Sequence, residues 1–173
     1  MNIVKVKNNI NIKNSIKVIE RHPVEILGND YRLKIEYKNI KVMELNVYED
    51  TIKITLQNKY KKVNSEEMLD FAINKMYDAI AKVEIERAME KMRKLLGFAP
   101  EDYKLCRFNG IGKCENSVIT INPDIVMFNR DVIDYAVLKQ YCHLKYKTEC
   151  KRFWELIKNN CKNYEKYEKL LKN

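Results

Sequence analysis

The run from Thr51 to Met76, TIKITLQNKYKKVNSEEMLDFAINKM, changes its hydrophobic period partway along. Up to Gln57 the apolar residues Ile52, Ile54 and Leu56 fall on every second position, the pattern of a strand with one buried face. Beyond Asn64 they return every third or fourth residue, at Met68, Phe71, Ala72 and Met76, and continue through Ala79, Ile80, Val83, Met89, Met92 and Leu96. That is the spacing of one helix face. Asn64 followed by Glu67 reads as an N-cap with its reciprocal carboxylate. Gly97 followed by Pro100 reads as a stop. A helix is therefore predicted over Ser65 to Leu96, its Met-rich stripe facing a core.

Toward the N-terminus the alternation continues in SIKVIE, YRLKIEY and IKVMELNVY, with turns signalled at Leu27-Gly28-Asn29-Asp30 and Glu49-Asp50. Such strands suit an antiparallel meander. Toward the C-terminus, YKLCRF and SVITIN read as two strands flanking the glycine-bearing connection NGIGKCEN. The remainder is helical, from Asp131 to about Lys145, from about Thr148 to Asn160, and in a short charged segment from Asn163 to Leu171. Strands, a long linking helix, a β-hairpin and then packed helices make an α+β protein. A β-rich region over residues 1–63 and a helix-rich region over 64–173 are expected within one compact domain, since 173 residues is the scale of a single core.

Composition bounds the function. A hydrophobic share of 46% with 33% charged residues supports a folded core under a polar surface. The opening MNIVKVKNNINIKN breaks every apolar pair with Lys or Asn, unlike a secretion signal or a membrane span; a cytoplasmic location and no membrane partner are expected. Five cysteines, at 106, 114, 142, 150 and 161, contain no C-x-x-C pair and are odd in number, which suits reduced thiols. A formal charge of +9 admits a nucleic-acid partner. The excess is carried by Lys rather than by the better phosphate fork Arg, so it also fits a merely lysine-rich composition.

Gly110-Ile111-Gly112-Lys113-Cys114 invites a phosphate-loop reading and fails it. Arg107 stands where that motif needs its first glycine, Cys114 where it needs a hydroxyl, and Glu115 where a dinucleotide fingerprint needs its third glycine. A turn whose glycines permit positive φ is the simpler reading.

The chemistry concentrates further on. Val132, Ala136, Lys139 and His143 are spaced four, three and four, hence share one helix stripe. Two apolar neighbours thus direct a lysine and a histidine inward, and an inward ammonium is costly without a partner. Glu149, just beyond, is the nearest acid in sequence. A snorkelling lysine, an acid placed by a helix dipole and an ordinary packed imidazole are the plainer readings of the same three residues.

The stretch from Asp131 to Trp154 resembles the zinc-helix region of YgjP-like (SprT/WLM-type) zinc metallopeptidases. The likeness is carried by Ile133-Asp134-Tyr135-Ala136-Val137, His143-Leu144-Lys145 and Phe153-Trp154. Gly112 with Cys114, the following SVITIN and the segment LGFAPEDYKL look like other parts of that family, so the resemblance spans roughly residues 25–173. It implies a zincin-like fold in which two histidines one helical turn apart and a third from the next helix bind zinc, with a glutamate as general base. Against that pattern Lys139 replaces the first histidine, Gln140 the glutamate and Glu149 the third histidine, while His143 remains. Gly110 and Ile111 likewise stand where the family has Arg and Trp.

On this resemblance, Lys139 is an internal stand-in for the metal, paired with Glu149 and supported by Gln140 and His143. The expected protein is a catalytically inactive metallopeptidase domain without cofactor, with no intact catalytic residue and a cleft suited to a peptide or protein partner. Two alternatives stay open. One is a surviving hydrolase whose zinc is held by His143, Glu149 and a thiolate, Cys142 or Cys150. The other is a basic nucleic-acid-binding module using Lys145, Lys147, Lys151 and Arg152.

Overall fold

A computed structural model of the chain describes residues 17–18, 23–62 and 65–172. Its strands are β1 (Lys17–Val18), β2 (Val24–Ile26), β3 (Asn29–Lys38), β4 (Glu44–Tyr48), β5 (Thr51–Gln57), β6 (Asp102–Leu105), β7 (Gly112–Glu115) and β8 (Val118–Ile121). The helices are α1 (Ser65–Leu96), α2 (Arg130–Lys145), α3 (Lys151–Asn160) and α4 (Tyr164–Lys172), with 3-10 segments at Asn58–Lys62 and Pro123–Met127. This is the α+β class predicted, and α1 has the limits that its apolar period predicts. The proposed cap at Asn64 and most of SIKVIE lie outside the described residues.

The chain divides into two compact units, one containing Arg32–Ser65 and the other Pro23–Tyr31 with Glu66–Asn173. In the first, strands run in the order β1-β3-β5-β4. The pairs β1–β3 and β4–β5 are antiparallel. The pair β3–β5 is parallel, with Ile35 beside Ile54, so the predicted meander is corrected at this one junction. The residues show why. Ile52, Ile54 and Leu56 of β5 are fully buried, whereas Val47 and Tyr48 of β4 are more than half exposed. The apolar strand therefore takes the central position with partners on both sides, and the polar one is left at the edge. Glu36 is buried in this sheet and is paired with Lys53 at 2.6 Å and Lys38 at 3.0 Å.

In the second unit β2 and the start of β3 form a hairpin whose turn residues Leu27 and Gly28 both have positive φ, 51° and 78°. That is the mirror-image turn that matches strand twist. Its amides donate to the carbonyls of Val126 and Met127 at 2.7 and 3.0 Å. The second sheet has the order β6-β8-β7. A hairpin is present, but it joins β7 to β8 through Asn116 and Ser117. YKLCRF and SVITIN are instead parallel neighbours, and the intervening connection supplies the third strand. Asn122 fixes that connection: its amide donates to the carbonyls of Phe108 and Gly110 at 3.0 and 3.1 Å while its Oδ1 accepts from the Asp124 amide.

α2 is buried on nearly every side, as a helix packed within a core must be. Asn129 caps it by accepting from the Val132 amide at 3.1 Å. Its one buried carboxylate facing α1, Asp134, receives Arg87 at 2.7 Å and Lys91 at 2.6 Å. Tyr141 donates to the Met89 carbonyl at 2.9 Å. These bonds orient the helix about its axis, so that its remaining polar residues meet β7, α3 and α4.

Candidate functional site

Lys139 and His143 emerge on the face of α2 that α3 and α4 cover. The Lys139 side chain is only 18% exposed, and its Nζ lies 2.7 Å from Glu168 Oε1 and 3.0 Å from Glu149 Oε1. It also lies 5.6 Å from the centre of the Trp154 ring, within range of a cation–π attraction. Glu168 accepts in addition from the Tyr135 hydroxyl and sits 3.1 Å from Lys172. The ammonium is thus enclosed by two carboxylates and an aromatic face rather than reaching outward. The plainer reading, a lysine snorkelling to solvent, does not describe this side chain.

Burial works against the charge on Lys139, but its hydrogen bonds to Glu168 and Glu149 outweigh that cost and hold its pKa above the ordinary lysine value. Burial likewise opposes ionised Glu168, and Lys139, Tyr135 and Lys172 reverse the balance, holding its carboxyl below the usual range. Both groups are charged across the neutral range. Tyr135, largely through burial and then its bond to Glu168, is held protonated well above the normal phenol pKa.

His143 stacks on Phe153 with ring centres 4.6 Å apart, its Nδ1 3.3 Å from the Tyr146 carbonyl and its Nε2 3.9 Å from Glu149. It borders the cluster without entering the tight contacts. Gln140 is 6% exposed and packs against Gly112 of β7. A Cβ on Gly112 would lie 3.0 Å from Gln140 Cγ, Gln140 Nε2 and Ile121 Cδ1 alike. Gly110 has a positive φ of 139° whereas Gly112 does not, so the two glycines are needed for different reasons, the first for its turn and the second for close approach. Gly112, Lys139, Gln140, His143, Glu149 and Glu168 line one cavity of about 240 Å³. Cys114 does not border it, and burial raises its thiol pKa.

The structure therefore brings together Lys139, Gln140, His143, Glu149 and Gly112, and adds Glu168, which the sequence reading missed. Glu168 lies 29 residues beyond Lys139. A signal existed: Tyr164, Tyr167, Glu168 and Leu171 share a helix stripe, the same pattern of an ionisable residue among apolar ones that singled out Lys139. Cys142, one of the two thiols invoked for a rearranged site, is not available there. Cys142 faces the core, and burial pushes its thiol up to about 12. Among the described residues no group of three or more His, Cys, Asp or Glu side chains is placed to hold a metal ion.

The second sheet is edged by β7, and α2 packs on it with Gln140 turned toward that edge strand. The sequence pattern of the YgjP-like metallopeptidase domain matches residues 2–173, and the chain belongs to that family. A solved structure, the metallopeptidase zymogen abylysin of Pyrococcus abyssi, is similar at 19% identity over 43% of this chain and 76% of that chain, with a TM-score of 0.40. No curated protein matches the chain.

The family implies zinc, and the residues present do not fit it. The space between Glu149 and Glu168 is taken by the Lys139 ammonium, which as a charged –NH₃⁺ has no lone pair to offer a metal. Gln140 offers a neutral amide where a base would be needed.

Proposed function

We propose that this chain is a non-hydrolytic YgjP-like domain of the cytoplasm, in which Lys139 stands in for the metal and the cleft beside β7 binds an extended segment of a peptide or protein. The observation that carries this reading is the ammonium held at 3.0 and 2.7 Å between two carboxylates. A divalent ion and an ammonium both satisfy a pair of acidic groups, but only the ion can lower the pKa of a bound water. Gln140 has nearly the shape of glutamate and no capacity to take a proton from water. Pseudoenzyme, degenerate zinc site and absence of cofactor are parts of the same proposal.

Binding of an extended chain is supported by the pairing register. The Asn122 amide donates to the Ile111 carbonyl at 2.8 Å. Bonded pairs alternate along antiparallel strands, so Lys113 and Glu115 bond to β8, whereas Gly112 and Cys114 direct their amides and carbonyls to the free edge of β7. Such an edge accepts another strand by main-chain bonding.

Metal analysis of untagged chain tests the proposal. The expected zinc content is far below one ion per chain. The double substitution Lys139→His/Gln140→Glu, which with His143 and Glu149 completes a set of nitrogen and oxygen ligands, gains measurable zinc binding. Stoichiometric zinc in the unaltered chain, lost on His143→Ala, would overturn it.

A further inference from the structure

The basic excess of the chain is unevenly placed. Residues 32–65 hold eight Lys and Arg against four Asp and Glu, a net +4 of the chain's +9. An even spread of the excess would leave about +2 in a stretch of that length, and such asymmetry marks a region built to meet a polyanion.

The sheet formed by this stretch sorts its charges onto one face. In the parallel pair of β3 and β5, Ile35, Ile52 and Ile54 turn to one side and are fully buried. Alternation puts Arg32, Lys34, Glu36 and Lys38 on the other, with Thr51 level with Arg32, Lys53 level with Lys34, and Tyr48 of β4 beside Thr51. From Arg32 to Lys38 the cations succeed one another along the strand over about 20 Å. The carboxylates do not cancel them. Glu36 serves both Lys53 at 2.6 Å and Lys38 at 3.0 Å, Asp50 reaches Arg32 only at 3.8 Å, and Glu44 stands two strands from Lys34 on β4. Lys34 has no carboxylate partner among the described residues and sits beside the like charge of Lys53, a repulsion that an incoming anion relieves. Lys34, Glu36, Tyr48, Thr51 and Lys53, with Ile35, line a cavity of about 330 Å³, the size of a small ligand pocket. Tyr48 is 57% exposed there.

A row of cations with an exposed ring among them selects the partner. Single-stranded nucleic acid offers phosphates to the first and an unstacked base to the second, and an open sheet face is a surface on which such bases lie. A duplex keeps its bases stacked and out of reach of the ring. An acidic peptide uses the cations alone. A membrane calls for exposed apolar side chains among the cations, but the half-exposed Val47 turns to the opposite face, beside Ile52.

We infer that this face of the N-terminal sheet binds single-stranded nucleic acid, with backbone phosphates along Lys34, Lys53 and Lys38 and one base against Tyr48 in the cavity. The inference is independent of the cleft beside α2.

The test follows the anisotropy of a fluorescein-labelled twelve-nucleotide oligothymidylate titrated with the full chain at several salt concentrations. Saturable binding is expected, weakening with salt by a logarithmic slope of about −0.7 per phosphate contacted, and at least about tenfold weaker for the duplex of the same length. Lys34→Gln should weaken binding and make the slope shallower by about 0.7. Tyr48→Ala should weaken it about fivefold or more with the slope unchanged, and Tyr48→Phe should restore it. Both side chains are exposed, so far-UV circular dichroism should not change; if a variant does not fold, the comparison of strand, duplex and competitors on the unaltered chain decides alone. No saturable binding at low salt, a slope near zero, equal affinity for the duplex, or full binding by Tyr48→Ala would overturn the inference. Loss of binding on Lys151→Gln/Arg152→Gln with none on Lys34→Gln would place the contact elsewhere and overturn it. Polyglutamate or phosphatidylserine vesicles that displace the labelled strand as well as unlabelled oligothymidylate does would assign the face to an acidic protein or a membrane, and overturn it too.

Discussion

Replacing Lys139 by methionine keeps an unbranched stem and removes the charge. Its consequence can be sized from the contacts. Glu168 is 12% exposed and would keep Tyr135 and Lys172, but Lys172 is itself 68% exposed and screens weakly. Glu149 is 41% exposed, so most of its share is already discounted by solvent. Breaking a buried pair by deleting one partner costs about 3–5 kcal/mol, and the residual partners place this case at the lower end, about 3 kcal/mol near pH 7. Trp154 is the one tryptophan of the chain and lies beside the ammonium, so its fluorescence reports denaturant unfolding of this unit. The pH dependence has a definite sign. Glu168 is depressed in the fold, so the stability it contributes is present above the unfolded glutamate value, about 4.3, and is lost as pH falls through its folded value. Lys139 is raised, so its contribution is present below about 10.4 and is lost only as pH rises through its folded value. The penalty of Lys139→Met should be flat from about pH 5 to 10 and shrink toward zero in acid. A penalty under about 0.5 kcal/mol, the range of ordinary surface substitutions, would refute the reasoning. So would an equal penalty at pH 7 and in acid. A double-mutant cycle with Glu168→Gln should return a coupling above about 1 kcal/mol.

Gly112→Ala forces three atoms of Gln140 and Ile121 to give way from 3.0 Å, and should cost about 1–3 kcal/mol as an overpacking substitution; an unchanged melting temperature would contradict the close approach of β7 to α2. Thiol titration should separate the cysteines by position. Cys106 and Cys150 are exposed and should react promptly in the native protein, whereas Cys142, buried and held protonated up to about 12, should react only after unfolding. Prompt modification of Cys142 without loss of structure would show that the core around α2 opens readily.

Most of the elements were legible in the sequence because they rest on a local period. The switch after Asn64 marks α1, and the alternation in β3, β4 and β5 is plain; the caps at Asn122 and Asn129 emerge only from the structure. The order of strands was not legible. Nothing in a single strand states whether β5 lies beyond β4 or inserts between β4 and β3; that is decided by comparing burial among strands, with Ile52, Ile54 and Leu56 claiming the doubly paired position. The same limit hid β7, whose four residues, Gly112–Glu115, carry no apolar alternation and become a strand through pairing with β8.

The candidate site was half legible for a related reason. Lys139 stood out because its stripe is otherwise apolar, and Glu149 because it is close in sequence. Glu168 is the stronger of the two partners by distance and burial, yet it sits in a helix, YEKYEKLLK, that also carries Glu165. Only the docking of α4 on α2 selects one over the other: Tyr167 tilts against Tyr135 with ring centres 5.9 Å apart, and that packing turns the next residue, Glu168, toward Lys139. The two halves of the cluster are thus set by different physics. Polarity on an apolar stripe chooses which residues must find a partner, and aromatic packing chooses the partner they find. A substitution that loosens the aromatic pair and removes no ionised group, Tyr167→Ala, which also gives up the 3.5 Å hydrogen bond from the Tyr167 hydroxyl to Asp131, should therefore weaken the ion pair as surely as removing a carboxylate. The shift in the acid limb of the Trp154 unfolding curve measures it, and a limb unchanged from the parent would show that Glu168 finds Lys139 without that packing.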